Sequence, residues 1–438
     1  MEQDLTTGSV FKRIVYFSLP YLLSYFLQTL YGMADLFITG QFYGVDTITA
    51  VSNGSQIMHM MTVIIVGLAM GTTVTIGHSV GAKCMEQAEK IIGNTIMLFM
   101  GIAVVFTVIL VVLVKPIVVL IATPQEAVAG TSVYLLICFI GIPFITAYNI
   151  ISSIFRGLGD SKSPMYFIGI ACVMNIALDY LFMGAFHMVC AQTFSVLVAL
   201  WVIRRRKTGI SLKKSDFKIE RAVIGQVLKI GIPVALQDGF IQVAFMIITV
   251  IANSRGVSDA AAVGVVEKVI SALFIVPSSM LATVSALSAQ NLGAGKEKRA
   301  TDTLHYATVI TTIYGMIVAV LIQFIAENVV GIFTSDTTVV TMGSAYIRSY
   351  IWDCIFAGIH FSFSGYFAAC GKSYIGFLHN IISITFVRVP GSYLASKYFI
   401  DTLYPMGLAA PAGSLVSVAI CVTAFILLKR KSRVAQTA

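Results

Sequence analysis

The sequence predicts an all-α polytopic membrane protein of about twelve transmembrane helices in two pseudo-symmetric halves, and three observations predict it. Of its 438 residues, 58% are hydrophobic and only 11% charged, against about 25% charged in soluble domains. Apolar runs repeatedly exceed the roughly 20 residues that cross a ~30 Å hydrocarbon core. The chain is also written twice. Gly81, Tyr134, Phe155 and Gly159 recur at one constant spacing as Gly293, Tyr346, Phe367 and Gly371.

Taken in order, the apolar runs place spans near 14–39, 48–75, 92–114, 127–153, 164–184 and 186–203, then near 230–251, 260–287, 304–326, 338–366, 376–396 and 406–428. Hydrophobicity continues to Leu428, so the first run reads as a permanent helix and not a cleaved leader. The halves are residues 1–203 and 230–428, joined by a basic linker over 204–229 and followed by a basic tail over 429–438. Within the linker, the apolar stretch from Val223 to Lys229 reads as the start of a surface helix ahead of the seventh span. Lys12, Lys83, Arg156, the Arg204 to Lys229 stretch, Lys296, Lys372 and the tail all fall in links on one side of the membrane, while the other side offers Lys115, Arg255 and Lys397. The positive-inside rule then puts both termini and the linker in the cytoplasm of a plasma membrane, the inner membrane of a bacterium.

The net charge of +9 is therefore a topology signal and a contact for anionic membrane lipids. It does not signal nucleic acid, because no aromatic–basic interleaving accompanies it. Seven cysteines without CxxC spacing read as small buried hydrophobes, giving neither a disulfide scaffold nor a zinc site. The repeat has one irregularity. Arg204 and Lys429, the basic ends of the two halves, stand farther apart than the constant spacing of the paired residues. The first half is thus shorter around its sixth span, with a tight turn near Gly184 to Met188.

Polar residues inside the spans are the candidate site. Asp35 lies within the first span; a charge there costs several kcal/mol unless it faces protein or a watery cavity. Burial disfavours its charged form, which suits reversible protonation. Asn175 and Asp179 stand four residues apart in NIALD and so share a helix face. Together they can exchange hydrogen bonds in either protonation state, or supply oxygens to Na⁺ with Asp35. Asp238 and Gln242, one turn apart in the seventh span, and Glu267 in the eighth are candidates for a cavity in the second half. Glu267 and its neighbour Lys268 cannot share a face. Arg388 either pairs with an acid or snorkels outward. Pro20, Pro143, Pro233 and Pro390 interrupt apolar spans, and Pro20 is placed to bend the first helix.

No catalytic constellation or phosphate-cradling loop is present, so the chain is not read as an enzyme and has no ATP drive of its own. Paired halves in a membrane chain are the usual architecture of a transporter with a central binding site. The LP of the first span, MADLFITG, the SVGAK and LGAGKEKRA loops, FRGLGDSKSP and NIALD together resemble the multidrug and toxic compound extrusion (MATE) family over residues 10–430. The resemblance implies two six-helix lobes facing across a V-shaped cavity. It implies export of organic cations or drugs in exchange for H⁺ or Na⁺ by a protein with no other cofactor and no ATPase subunit, read here as a monomer.

The resemblance extends to a branch. Asp35, Asn175 and Asp179 fall on the first-lobe acidic pattern of the DNA-damage-inducible efflux proteins. The second-lobe pattern of the Na⁺-driven norfloxacin exporters matches poorly: Ala357 stands where a tenth-span Asp is expected, and Asp353 lies one turn away. Coupling is therefore expected in the first lobe. Two other readings stay open: a lipid-linked oligosaccharide flippase, against which the scarcity of intramembrane Lys and Arg argues, and a non-transporting receptor or scaffold.

Overall fold

A computed structural model describes the backbone of residues 4–42, 45–121, 123–182, 193–194, 196–201 and 211–437, and their side chains outside 31–49, 178–182 and 431–437. The regular structure among these residues is helical throughout. Burial runs opposite to that of a water-soluble protein. Leu120 and Phe324 are 85% and 80% exposed while Thr72, Ser288 and Thr303 are fully buried, the distribution expected where hydrocarbon is the solvent.

In the first half α1 is Val10–Phe42, α2 Val45–Gly81, α3 Met85–Val112 and α4 Val114–Leu120, followed by α5 Gln125–Ile140, α6 Ile142–Gly157 and α7 Lys162–Phe182. In the second half α8 is Arg221–Asn253, α9 Val257–Leu273, α10 Ile275–Gly293, α11 Glu297–Gly331, α12 Thr337–Tyr350 and α13 Asp353–Ala369. There α14 is Tyr374–Ser383, a π-helical segment covers Ile384–Arg388, α15 is Val389–Tyr398 and α16 Tyr404–Thr437. Six described helical segments, one of them α9 continued by α10, are each long and apolar enough to cross a membrane, and α5 with α6 forms a further bent span. The tight turn after the fifth span and the basic residues Arg204 to Lys207 lie outside the described residues.

The repeat is visible in how helices end. Cys84 N donates to Ser79 O at 2.9 Å and Lys296 N to Asn291 O at 2.8 Å; Asp160 N donates to Phe155 O at 2.9 Å and Lys372 N to Phe367 O at 2.8 Å. Each is the closing bond of a Schellman turn. Gly159 and Gly371 supply its left-handed residue, with φ of 93° and 69°, a region costly for any residue with a Cβ.

Two spans that the sequence presents as single helices are broken at repeat-related places. The fourth bends by 47° between α5 and α6, where Pro143 at the start of α6 has no N–H to continue the ladder. The tenth unwinds at Ile351 and Trp352 and restarts at Asp353. The eleventh span is altered instead of broken. Its π-helical turn runs up to Pro390, whose missing N–H frees a carbonyl and permits the wider register.

The chain forms two compact units, Met1–Gly8 with Val15–Ala235 and Ala289–Lys296, and Ser9–Ile14 with Leu236–Ser288 and Glu297–Ala438. Within the first, the end of α10 crosses α2 closely. A Cβ on Gly81 would strike the Gln290 carbonyl, and one on Gly293 the His78 carbonyl. The stretch after Ser211 docks on α3: Asn94 bonds Lys218 O at 3.1 Å and receives Glu220 N at 2.7 Å, and Ser211 N donates to Glu89 at 2.7 Å. Val223 to Lys229 are the first turns of α8 itself, not a separate surface helix. Within the second unit, Ile270, Ala319, Ile322, Ile347 and Ile351 build the main core.

Candidate functional site

In the second unit three charged side chains converge where the tenth and eleventh spans depart from α-helix. Asp353 is 1% exposed and opens α13 after the break, at a helix start whose first N–H groups, those of Cys354 and Ile355, bond Ile351 O and Trp352 O at 3.0 and 3.3 Å. Its carboxylate Oδ1 has no partner. Glu267, half-buried on α9, accepts from Thr249 at 3.3 Å, and its Oε1 is unpartnered. Lys268 points away and is exposed, as adjacent helix positions require.

Arg388 is the third member. Outward snorkelling is ruled out: the residue is 9% exposed, its guanidinium donates to the Tyr350 hydroxyl, and it lies 5.0 Å from the Phe245 ring centroid and 5.5 Å from that of Tyr350. Those faces suit a delocalised cation. Its Nε is unpartnered, and among the described residues it forms no ion pair within 4.0 Å. Tyr346 and Tyr350 pack edge to face at 5.6 Å, walling the cluster. A second buried polar group adjoins it. His379 bonds Ser364 at 2.9 Å and lies 5.3 Å from His360, ring to ring.

The first unit differs. Asn175 on α7 is 3% exposed with its Oδ1 unpartnered. Asp35 lies on α1 and Asp179 on α7, one turn beyond Asn175, with both side chains outside the described residues. Leu23 and Leu27 of α1 and Met165, Tyr166, Val173 and Met174 of α7 line an open apolar groove of about 460 Å³ on the exposed side of these helices, where Val173 is 69% exposed; the buried Asn175 does not line it. Pro20 lies within α1, one turn below Leu23, and is buried. Ser55 and Tyr134 share a 3.0 Å hydrogen bond. Asp238 and Gln242 are half-buried on α8; on that helix the fully buried amide is Gln237, with its Nε2 unpartnered.

A model of the MatE family matches residues 20–181 and, a second time, 233–394. The chain belongs to the MatE family. A probable multidrug resistance protein of Bacillus subtilis, YpnP, is 28% identical, with 90% of each chain covered. An FAD transporter of Shewanella oneidensis is 23% identical over 94% of this chain and 93% of that one. An outward-facing multidrug resistance MATE transporter superposes with a TM-score of 0.90 at 20% identity, covering 99% of both chains. MatE membership makes this protein a secondary transporter with an all-α polytopic membrane fold, and not an enzyme.

The MatE repeat also shows what sequence reading missed. The two matched segments are offset, at their starts and at their ends, by one position more than the paired tyrosines Tyr134 and Tyr346. Toward the end of the second segment, the π-helical turn at Ile384–Arg388 accounts for the added residue. Asn175 of the first half then corresponds to Arg388, Gly141 to Asp353 and Ser55 to Glu267. The available signal was Pro390 two residues after an intramembrane Arg.

Proposed function

We propose that this MatE protein is an antiporter of the plasma membrane that exports organic cations or drugs in exchange for H⁺ or Na⁺. Coupling resides in the first half at Asp35, Asn175 and Asp179, in the manner of the DNA-damage-inducible efflux branch, and the protein acts as a monomer with both termini in the cytoplasm. One observation carries the reading: Asn175 is buried with an unpartnered amide oxygen, one turn before Asp179 on α7. A carboxylate one turn from a free amide oxygen can take up a proton or contribute to a Na⁺ shell.

Exchange follows from competition. The cluster holds the coupling ion or attracts the cationic solute, and both charges together are disfavoured. Bending of α1 at Pro20 closes part of a first-half cavity when the ion is bound. Each tenfold change in ion affinity between two conformations corresponds to about 1.4 kcal/mol, so modest differences in solvation bias the cycle. Efflux of a fluorescent organic cation from proteoliposomes, with ΔpH and Na⁺ gradients imposed separately, tests the proposal. Acceleration by one gradient identifies the coupling ion, and acceleration by neither refutes antiport of such cations.

A further inference from the structure

The groove between α1 and α7 takes no part in coupling, and a charge stands at one end of it. Its walls are apolar: Leu23 and Leu27 on one side, Met165, Gly169 and Val173 on the other. Gly169 keeps it open, since a Cβ there would come within 3.7 Å of the Leu27 side chain. Val173 is 69% exposed. In a membrane that exposure faces acyl chains, and a chain fills the groove because an empty one forfeits dispersion contacts. Lys162 opens α7, one turn before Met165, and its ammonium lies 5.7 Å from the ring centroid of Tyr16 on α1. Among the described residues Lys162 has no ion pair. The nearby Asp160 carboxylate is turned to the helix start, where it accepts from Lys162 N at 2.9 Å, Ser163 N at 3.0 Å and Ser163 Oγ at 2.5 Å.

The dimensions match one leaflet. From Lys162 to Val173 the helix rises about 16 Å at 1.5 Å per residue, about half of a ~30 Å hydrocarbon core. A lysine at headgroup level, continued by an apolar groove that ends near mid-membrane, fits an anionic lipid. At the constant spacing of the repeat the second half has Tyr374 in place of Lys162 and Ile381 in place of Gly169, so it lacks both the cation and the gap. We propose that the groove between α1 and α7 binds an anionic phospholipid, with one acyl chain along Gly169 and the phosphate on Lys162. Its source in the cytoplasmic leaflet rests on the proposed topology. Binding itself depends on neither that topology nor antiport, so the two can fail separately.

Native mass spectrometry of the purified full-length protein, titrated in detergent with dioleoyl phosphatidylglycerol or dioleoyl phosphatidylcholine, tests the site. The wild type is expected to retain one phosphatidylglycerol about fivefold more tightly than phosphatidylcholine, the effect of one basic group at a lipid surface. Lys162→Gln is expected to lose that preference and Lys162→Glu to reverse it. Lys298→Gln, at an exposed lysine elsewhere, is expected to keep it. Gly169→Leu, which fills the groove, is expected to lose the retained lipid of either kind. Wild-type preference in Lys162→Gln overturns the proposal, as does a monodisperse Gly169→Leu protein that holds phosphatidylglycerol as the wild type does. Should Gly169→Leu not fold, Lys162→Glu decides by the sign of its preference. A wild-type dimer that Gly169→Leu abolishes would give the groove to a second copy of the chain and overturn the lipid site.

Discussion

At equivalent places the two halves bury polar groups in different ways. In the first, Ser55 and Tyr134 satisfy each other at 3.0 Å, Gly141 makes the break between α5 and α6, and Asn175 is neutral. In the second, Glu267 and Tyr346 stand in place of Ser55 and Tyr134, Asp353 opens the helix after the break, and Arg388 replaces Asn175. The helix breaks are shared while the chemistry is not. A break in a membrane helix creates a local N-terminus, and that feature alone can lower the cost of a carboxylate in hydrocarbon. The second half places Asp353 at that start and carries Arg388 inward on the π-helical turn of the eleventh span.

The largest effect should come at Arg388. Arg388→Met removes both the bond its guanidinium gives the Tyr350 hydroxyl and its stacking on Phe245 and Tyr350 and is expected to destabilise the protein by about 3 kcal/mol or more, read as a lowered unfolding temperature in detergent. Asn175→Leu, at the corresponding place in the first half, removes an amide whose oxygen is already unpartnered and should cost far less. Equal losses would break the contrast between the halves. Next in size is Tyr350→Phe, which removes a hydrogen bond to a charged group and should cost about 1.5–3 kcal/mol. Smallest is Tyr134→Phe, which removes a neutral bond to Ser55 and should cost about 0.5–1.5 kcal/mol by the same measurement. A reversed order of the two tyrosines would place the more important hydrogen bond in the first half.

Much of the fold was legible because membrane spans and repeats are written in composition and spacing. The paired Schellman turns at Gly159 and Gly371 follow from glycines that share the constant spacing of the repeat. The breaks were less legible: Ile351 and Trp352 are apolar and continue the hydrophobic run, so nothing local marks the place where α12 ends. Arg388 was ambiguous for a related reason. In an unbroken α-helix its direction follows from periodicity, but a π-helical turn shifts every later side chain by one position. Asp353 was noticed for its distance from an expected position, whereas its environment depends on a helix start that only the three-dimensional structure reveals. Asn175 was singled out for its one-turn spacing to Asp179, and it is buried.

Coupling in the first half is tested most directly by gradient-driven efflux of a fluorescent organic cation from proteoliposomes. The vesicles would contain wild type, Asp35→Asn or Asp179→Asn, each checked for normal membrane insertion. Each substitution is expected to abolish or sharply reduce the acceleration that the coupling gradient gives the wild type. Full acceleration retained in both variants would contradict first-half coupling.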